Sequence, residues 1–431
     1  MDRTKLKNTV TVVILTVCLG AVVGFVIWCF LLISSKGGAF IWSFLPEKTG
    51  VFWLNVPLCA AAGLAVGLIR RRCGDYPEDL AVVMGKVKRE KHYGYDHMAA
   101  MLACALIPLI FGASVGPEAG LTGIIAALCY WIGDNVKYAK QNAAVYSELG
   151  EAVTLGQIFH SPLFGILAVE EEPLKDGKLP EIPKVYKLVL YGLSGAVSFF
   201  VIALLNRAAQ TSSEGFPRFS EVTIQVSDYV SLLLYIPVGI LLFIIFEAAE
   251  KAAKAGASRV PPVLRETICG AVIGVMGIFA PMVLFSGEEQ MAELIGGPGS
   301  FVPWILIGIS LLKLVMTAFC VRFGMKGGHF FPLIFACTCM GIGLSGLLFP
   351  GAAEHAVFAA GVVTAATLGA QLKKPLAVTV LMLLCFPVRM LLWLFVAAAI
   401  GGRIAQMFSG KPEKKAPQNA KKLPDGPSSG I

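Results

Sequence analysis

Gly116-Pro117, inside the apolar run from Met98 to Leu128, and Phe331-Pro332, which closes Gly327-Gly328-His329-Phe330-Phe331-Pro332, are the stretches of this chain best suited to chemistry. Each suits a helix that starts within a membrane segment, because proline is tolerated in a first helical turn and glycine lets the preceding chain approach a ligand closely. Such a start exposes several backbone N–H groups with the positive end of the helix dipole behind them, an arrangement that binds anions. Glu118 follows Pro117 directly. A carboxylate within an apolar run is a functional candidate by default, here as a proton carrier. Its plainer role is a first-turn carboxylate stabilised by the dipole of its own helix.

These interruptions come as a pair. Pro117 precedes Pro332 by 215 residues, and Thr154-Leu155-Gly156, five residues, Pro162-Leu163 recurs 213 residues later as Thr367-Leu368-Gly369, five residues, Pro375-Leu376. The polar segments that open at Gly74 and Gly287 are also 213 apart. One Gly-Pro break alone reads as a kink or a packing site. Two at corresponding places in a duplicated membrane protein point to a midplane binding site made by broken helices. The halves are residues 1–212 and 213–408, and the Lys-, Pro- and Ser-rich segment 409–431 reads as a disordered cytoplasmic tail.

The elements that must position these residues follow from composition. Of 431 residues, 56% are hydrophobic and 15% charged, outside the range of a soluble domain. Apolar runs at Val10 to Ser35, Val51 to Ile69, Met98 to Leu128, Leu188 to Leu205, Tyr229 to Phe246, Thr267 to Ser286, Phe301 onward and Leu381 to Gly402 imply roughly ten or more membrane-embedded helices. The first run is too long for a signal-peptide core and reads as a span. Arg3, Lys5 and Lys7 before it, Arg70 to Arg72 after the second run, and Lys251, Lys254 and Arg259 set both termini on the cytoplasmic side. Those loop charges account for the net charge of +8, so no nucleic-acid partner is implied. An odd number of crossings per half inverts one half relative to the other. The expected fold is an all-α polytopic membrane protein with two inverted-topology repeats and broken helices meeting at mid-membrane.

Several chemistries lack support. The 11 cysteines are scattered without a Cys-x-x-Cys pair and read as buried thiols. The five histidines show no metal-binding spacing, and no phosphate-binding Gly-x-x-x-x-Gly-Lys-Ser/Thr loop exists. No metal, cofactor or enzymatic activity is expected.

Taken together, the motifs resemble the CLC chloride channels and proton/chloride exchangers. Gly327-Gly-His-Phe-Phe-Pro332 is similar to the family's Gly-Gly-Ile-Phe-Ala-Pro signature, Ser161-Pro-Leu-Phe-Gly-Ile-Leu167 with Glu170-Glu171-Glu172 to its Ala-Pro-Leu-x-Gly-Ile-Leu helix, and Gly74-Asp-Tyr-Pro-Glu78 to a degraded Gly-Ser-Gly-Ile-Pro-Glu loop. The resemblance implies a dehydrated chloride held at helix ends by Gly74, Asp75, Ser114, Val115, Gly116, His329 and Phe330, largely through backbone amides. It also implies a homodimer in the bilayer of a bacterial cell membrane. The family's Gly-Arg/Lys-Glu-Gly-Pro motif carries a gating glutamate where this chain has Val115. With no proton and no charge at that position, Val115 is expected to serve as a small apolar gate and anion flow to be passive. Lys414, in Gly410-Lys-Pro-Glu-Lys414, stands where well-known members carry a tyrosine, and Gly74 or Asp75 where they carry a serine. Glu172 matches the family's internal proton-transfer glutamate, with Glu171 its neighbour. An exchanger using Glu118 and Glu172, and an organic-anion transporter sharing only the architecture, are the alternatives. Lys326 beside the route would raise the local anion concentration, and His329 packs or titrates there.

Overall fold

Glycines at helix spacing decide how the two halves meet. In the computed structural model, which describes residues 3–79, 82–83, 85–87, 93–135, 143–159, 161–170, 184–211, 217–296 and 301–408, helix α1 (Arg3–Ala39) is followed by α2 (Asn55–Cys73), α3 (Met98–Ile110), α4 (Glu118–Asn135), α5 (Ala143–Ile158), α6 (Pro162–Glu170) and α7 (Lys184–Ala209). The second half runs α8 (Val226–Ala257), α9 (Leu264–Phe279), α10 (Glu288–Gly296), α11 (Pro303–Phe323), α12 (Phe330–Leu348), α13 (Ala353–Leu372), α14 (Pro375–Met382) and α15 (Leu391–Phe408). The order repeats: α8 corresponds to α1, α9 to α2, and α11 to α15 correspond in turn to α3 to α7.

Helices α2 and α9 pack on one another, and their contacts run antiparallel. A Cβ on Gly63 would fall 2.1 Å from the Glu266 carbonyl oxygen, and one on Gly67 would fall 2.7 Å from Val263 Cα. Reciprocally, a Cβ on Gly270 would fall 2.0 Å from the Cys59 carbonyl oxygen, and one on Gly274 would fall 2.6 Å from Val56 Cα. Each contact turns into its partner on adding or subtracting 207, so the pair is related by a two-fold axis and the repeats are inverted. Small residues four apart let the backbones close in where lipid supplies no hydrophobic drive between helices. The same device joins α1 to α7, where Gly20 and Gly24 meet Ser194 and Ser198.

Seven helices among the described residues are long and apolar enough to cross a bilayer. The remaining apolar segments are shorter, for a reason visible at Met98 to Leu128. That apolar run is one stretch in sequence but two helices in space, α3 and α4, broken across 111–117. Pro117 cannot donate a ladder bond, and Gly112 takes a positive φ of 78°, so the helix ends and restarts. Helices α12 and α13 are almost wholly enclosed, whereas much of α7 is exposed. The chain's own core therefore surrounds the broken helices and leaves the flanking ones to face the membrane.

All 11 cysteines are free thiols, and no cluster of potential metal ligands occurs among the described residues. The segment 409–431, the Gly410 to Lys414 motif and Glu171 and Glu172 lie outside the described residues.

Candidate anion site

Two helix starts, one from each half, meet through their glycines. Gly116 N–H donates to the Gly328 carbonyl at 2.7 Å, and Gly328 N–H donates back to the Gly116 carbonyl at 2.8 Å. This antiparallel bridge is symmetric about its centre, which makes Gly116 and Gly328 counterparts, 212 residues apart. Helices α4 and α12 begin two residues later in each half, at Glu118 and Phe330. The proline pairing expected from sequence is thereby displaced: the counterpart of Pro117 is His329, while Pro332 is already the third residue of α12.

Over this bridge lies the Glu118 side chain. It is fully buried, and its Oε1 accepts the Phe330 backbone N–H at 2.9 Å. The amides of Phe331 and of Glu118 itself also turn toward the carboxylate, while Oε2 is buried without a hydrogen bond of good geometry. A Cβ on Gly328 would fall 1.8 Å from Glu118 Cδ, and one on Gly116 would fall 2.1 Å from its Oε2. Glycine at both positions is what admits the carboxylate. Glu118 thus caps the start of the opposite half's helix, where the α12 dipole favours negative charge, rather than standing only in the first turn of its own. Beneath it, the Phe331 ring stacks on Phe159 with centroids 4.6 Å apart, and Phe164 meets Phe159 edge-on.

The residues expected to supply amides and a gate have other engagements in this conformation. Val115 is fully enclosed, its N–H donates to the Ala113 carbonyl at 2.8 Å, and its side chain fills the space beside Gly327. Val115 therefore packs the bridge; the side chain seated over the helix start is Glu118. Gly116 N–H is held in the bridge, and Ser114 Oγ lies 3.0 Å from Thr317 Oγ1 on α11. The Phe330 amide is the one that reaches a charged group. His329 is flanked by the rings of Phe246 and Phe330, and Gln371 Nε2 lies 3.3 Å from its Nε2.

Gly74 and Asp75 stand beside a cluster of basic side chains. Gly74 ends α2 with a φ of 121°, its N–H donating to the Arg70 carbonyl at 3.0 Å. Asp75 pairs with Arg70 Nη2 and with Lys326 Nζ at 2.8 Å. Arg70 Nη1 donates to Glu266 Oε1 at 2.8 Å and to the Gly324 carbonyl at 3.1 Å. Lys326 was expected beside the anion route, but Arg70 was counted only among the loop charges that orient the chain.

Two polar clusters escaped the sequence. Lys313, fully buried in α11, donates to three successive carbonyls, those of Val283, Leu284 and Phe285, at 3.0, 2.8 and 2.7 Å. Phe285 N–H in turn reaches the Gly112 carbonyl at 3.2 Å, so this lysine fixes the segment against which the approach to Gly116 is laid. A lone lysine in the apolar run after Phe301 was the available signal. At the opposite end of α12, His355 Nδ1 lies 2.5 Å from Asp228 Oδ1 and its Nε2 lies 2.8 Å from the Tyr235 hydroxyl. These partners are more than 100 residues apart in sequence, and no local motif announces them.

Residues 59–406 match the model of the voltage gated chloride channel family. The chain belongs to this family, the CLC proteins. Over 282 residues, 61% of this CLC chain, it is 26% identical to the H(+)/Cl(-) exchange transporter ClcA of Klebsiella pneumoniae (strain 342), of which it covers 56%. Over 329 residues it is 21% identical to chloride channel protein CLC-e of Arabidopsis thaliana, covering 44% of that protein. The chain thus spans about half the length of the curated relatives it matches. Among solved structures, a slow cyanobacterial Cl-/H+ antiporter superposes with a TM-score of 0.76 at 16% identity, covering 93% of this chain and 95% of that one. A CLC-type fluoride/proton antiporter gives 0.71 at 18% identity, with 95% and 98% covered. These two likenesses carry the fold.

Proposed function

We propose that this CLC protein moves chloride or a similar small inorganic anion across a lipid bilayer, with one pathway in each subunit of a homodimer, and that Glu118 is its gate. Residues 1–212 and 213–408 each contribute one helix start to the pathway. The observation that carries the proposal is the Glu118 carboxylate on the Phe330 N–H, wedged against Gly116 and Gly328 where no side chain larger than hydrogen fits. A helix N-terminus that accepts a carboxylate oxygen accepts a halide on the same grounds. The space is that of a few atoms, which favours a small inorganic anion over an organic one. An anion takes this place only after the carboxylate leaves, and the neutral acid leaves more readily than the charged form that the α12 dipole holds.

Anion movement is thereby tied to a proton at Glu118, which favours proton/anion exchange over free flow. Passive flow is the second reading. Its support is Val115, a residue with no proton to carry at the place of the family's gating glutamate. Glu172 is the carboxylate proposed for proton transfer at the other end of the route. The mouth that gathers Arg70, Arg265, Arg322 and Lys326 is the cytoplasmic one by the positive-inside rule. On this reading both termini lie in the cytoplasm and the protein sits in a bacterial cell membrane.

Chloride efflux from liposomes holding the purified protein, with external pH recorded in weak buffer, tests both readings. Chloride-driven proton movement against its own gradient, lost in Glu118→Gln while anion efflux survives, is the expected result. Rapid efflux that needs only an electrical shunt would establish the passive reading. Uptake of an organic anion without halide flux would overturn both.

A further inference from the structure

We propose that Glu288 is a second acid of the proton route, passing protons between Glu118 and the solution on the face opposite Arg70 and Lys326. The proposal rests on the exchange reading above and supplies what that reading lacks, a way for a proton to reach a carboxylate that is fully enclosed.

The repeat locates this acid. Gly74 and Gly287 open equivalent segments, so the counterpart of Asp75 is Glu288, and the 212-residue offset of the bridge makes Ser114 the counterpart of Lys326. Asp75 pairs with Lys326, two residues before Gly328. The two-fold relation sets Glu288 in the same way at the approach to Ser114 and Gly116. Because α2 and α9 run antiparallel, the segments that follow them emerge on opposite faces. Asp75 therefore stands toward one solution and Glu288 toward the other.

Local contacts fix the position. The chain leading to Glu288 is held by Lys313 at the carbonyls of Val283, Leu284 and Phe285 and by the Phe285 N–H on the Gly112 carbonyl at 3.2 Å. Gly287 then turns at a φ of 100° against α12, where a Cβ would fall 2.7 Å from Phe335 Cβ. Phe335 lies five residues beyond Phe330, whose N–H holds Glu118, or about 7.5 Å along the helix axis. Glu288 is the next residue and the first of α10. Among its titratable neighbours, Glu118 acts on it more strongly than Glu289 does, and the Cys385 thiol lies within its field. Glu289 is exposed, whereas Glu288 is half-buried, between the solution and the enclosed Glu118.

Two carboxylates so placed hold one proton more readily than none or two. A charged Glu118 draws a proton onto Glu288 from the solution. When that proton moves on, the O–H bond on Glu288 breaks as one forms on Glu118, through a bridging water where the gap requires it. The charge left on Glu288 is renewed from the solution, and the neutral Glu118 is free to leave the α12 start.

The test is chloride-driven proton movement, recorded beside chloride efflux in the same liposomes, for the wild type, Glu288→Gln and Glu288→Asp, with thermal unfolding measured for each. Glu288→Gln is expected to slow proton movement several-fold, and Glu288→Asp, a shorter acid, to restore most of it. A side chain that only shaped the turn would be replaced better by glutamine than by aspartate. Glu288→Ser takes the place of Glu288→Gln if the latter unfolds early. Proton movement at the wild-type rate in the variant without the acid would overturn the relay and leave Glu118 standing as the gate. Wild-type liposomes that pass chloride without moving protons would overturn the exchange reading and the relay with it.

Discussion

Glu118 and Phe330 are the first residues of corresponding helices in the two halves, and the carboxylate of one accepts the backbone N–H of the other at 2.9 Å. The two-fold symmetry of the backbone is therefore broken by a side chain. One half supplies the acid and the other the helix start that receives it.

Replacing that acid should uncouple the site from pH. Glu118→Gln keeps the shape but not the charge, so chloride flux is expected to become pH-independent and to reach the level that the wild type shows only in acid. Flux measured from pH 4.5 to 8 checks this. A glutamine variant that retains the wild-type pH profile would remove Glu118 as the gate.

Moving the acid is a sharper trial. The double variant Glu118→Gln, Val115→Glu returns a carboxylate to the position of the family's gating glutamate. Because Val115 fills the space beside Gly327, the longer side chain must turn toward the bridge. Acid-activated flux, absent from Glu118→Gln alone, is expected to reappear. Chloride flux unchanged at every pH would count against the alignment of Val115 with that glutamate.

Lys326 should impose an alkaline limit. Burial, and next the guanidinium of Arg70, push its ammonium down to about 8; Arg265 and Arg322 act in the same direction, and Asp79 and the paired Asp75 against it. A lowered value means that the positive charge is present below pH 8 and lost above it, so chloride capture from that side should fall as its pH rises through about 8. Lys326→Arg, whose charge persists, is expected to abolish the decline. Patch recordings with the pH of one face varied make the measurement, and a decline that persists in the arginine variant would assign it to another group.

Lys313 should matter for stability. Lys313→Met leaves the carbonyls of Val283, Leu284 and Phe285 without their shared donor, a loss of about 2–4 kcal/mol. The variant should unfold at a lower temperature in detergent. An unchanged unfolding temperature would show that water replaces the ammonium at no cost.

Gly63→Ala and Gly270→Ala should behave as a pair. Each places a Cβ about as close to a carbonyl of the opposite helix, 2.1 and 2.0 Å, and overpacking of this kind costs roughly 1–3 kcal/mol. Comparable drops in unfolding temperature are expected. A large effect at one and none at the other would contradict the two-fold relation.

The duplication and the helix breaks at Gly116-Pro117 and before α12 were legible because glycine and proline act on the backbone where they stand. Glu118 was legible as an ionisable group in an apolar run, but its reach across the bridge was not. Pro117 and Pro332 suggest an offset of 215, and only the Gly116–Gly328 hydrogen bonds reveal that the starts correspond at 212. Val115 drew attention through the motif it departs from, yet enclosure by Gly327 is a tertiary property. Arg70 read as a loop charge because Glu266 and Gly324, which hold it, lie 196 and 254 residues away.

The glycine contact between α2 and α9 has a bearing on origins. A surface that meets its own counterpart through an antiparallel, reciprocal set of contacts is self-complementary, as in an isologous dimer. A single ancestral half carrying one Gly-x-x-x-Gly helix of this type already possessed the face needed to bind a second copy of itself in the opposite orientation. Fusion of two such copies into one chain would have tied together an interface that existed before the linker did.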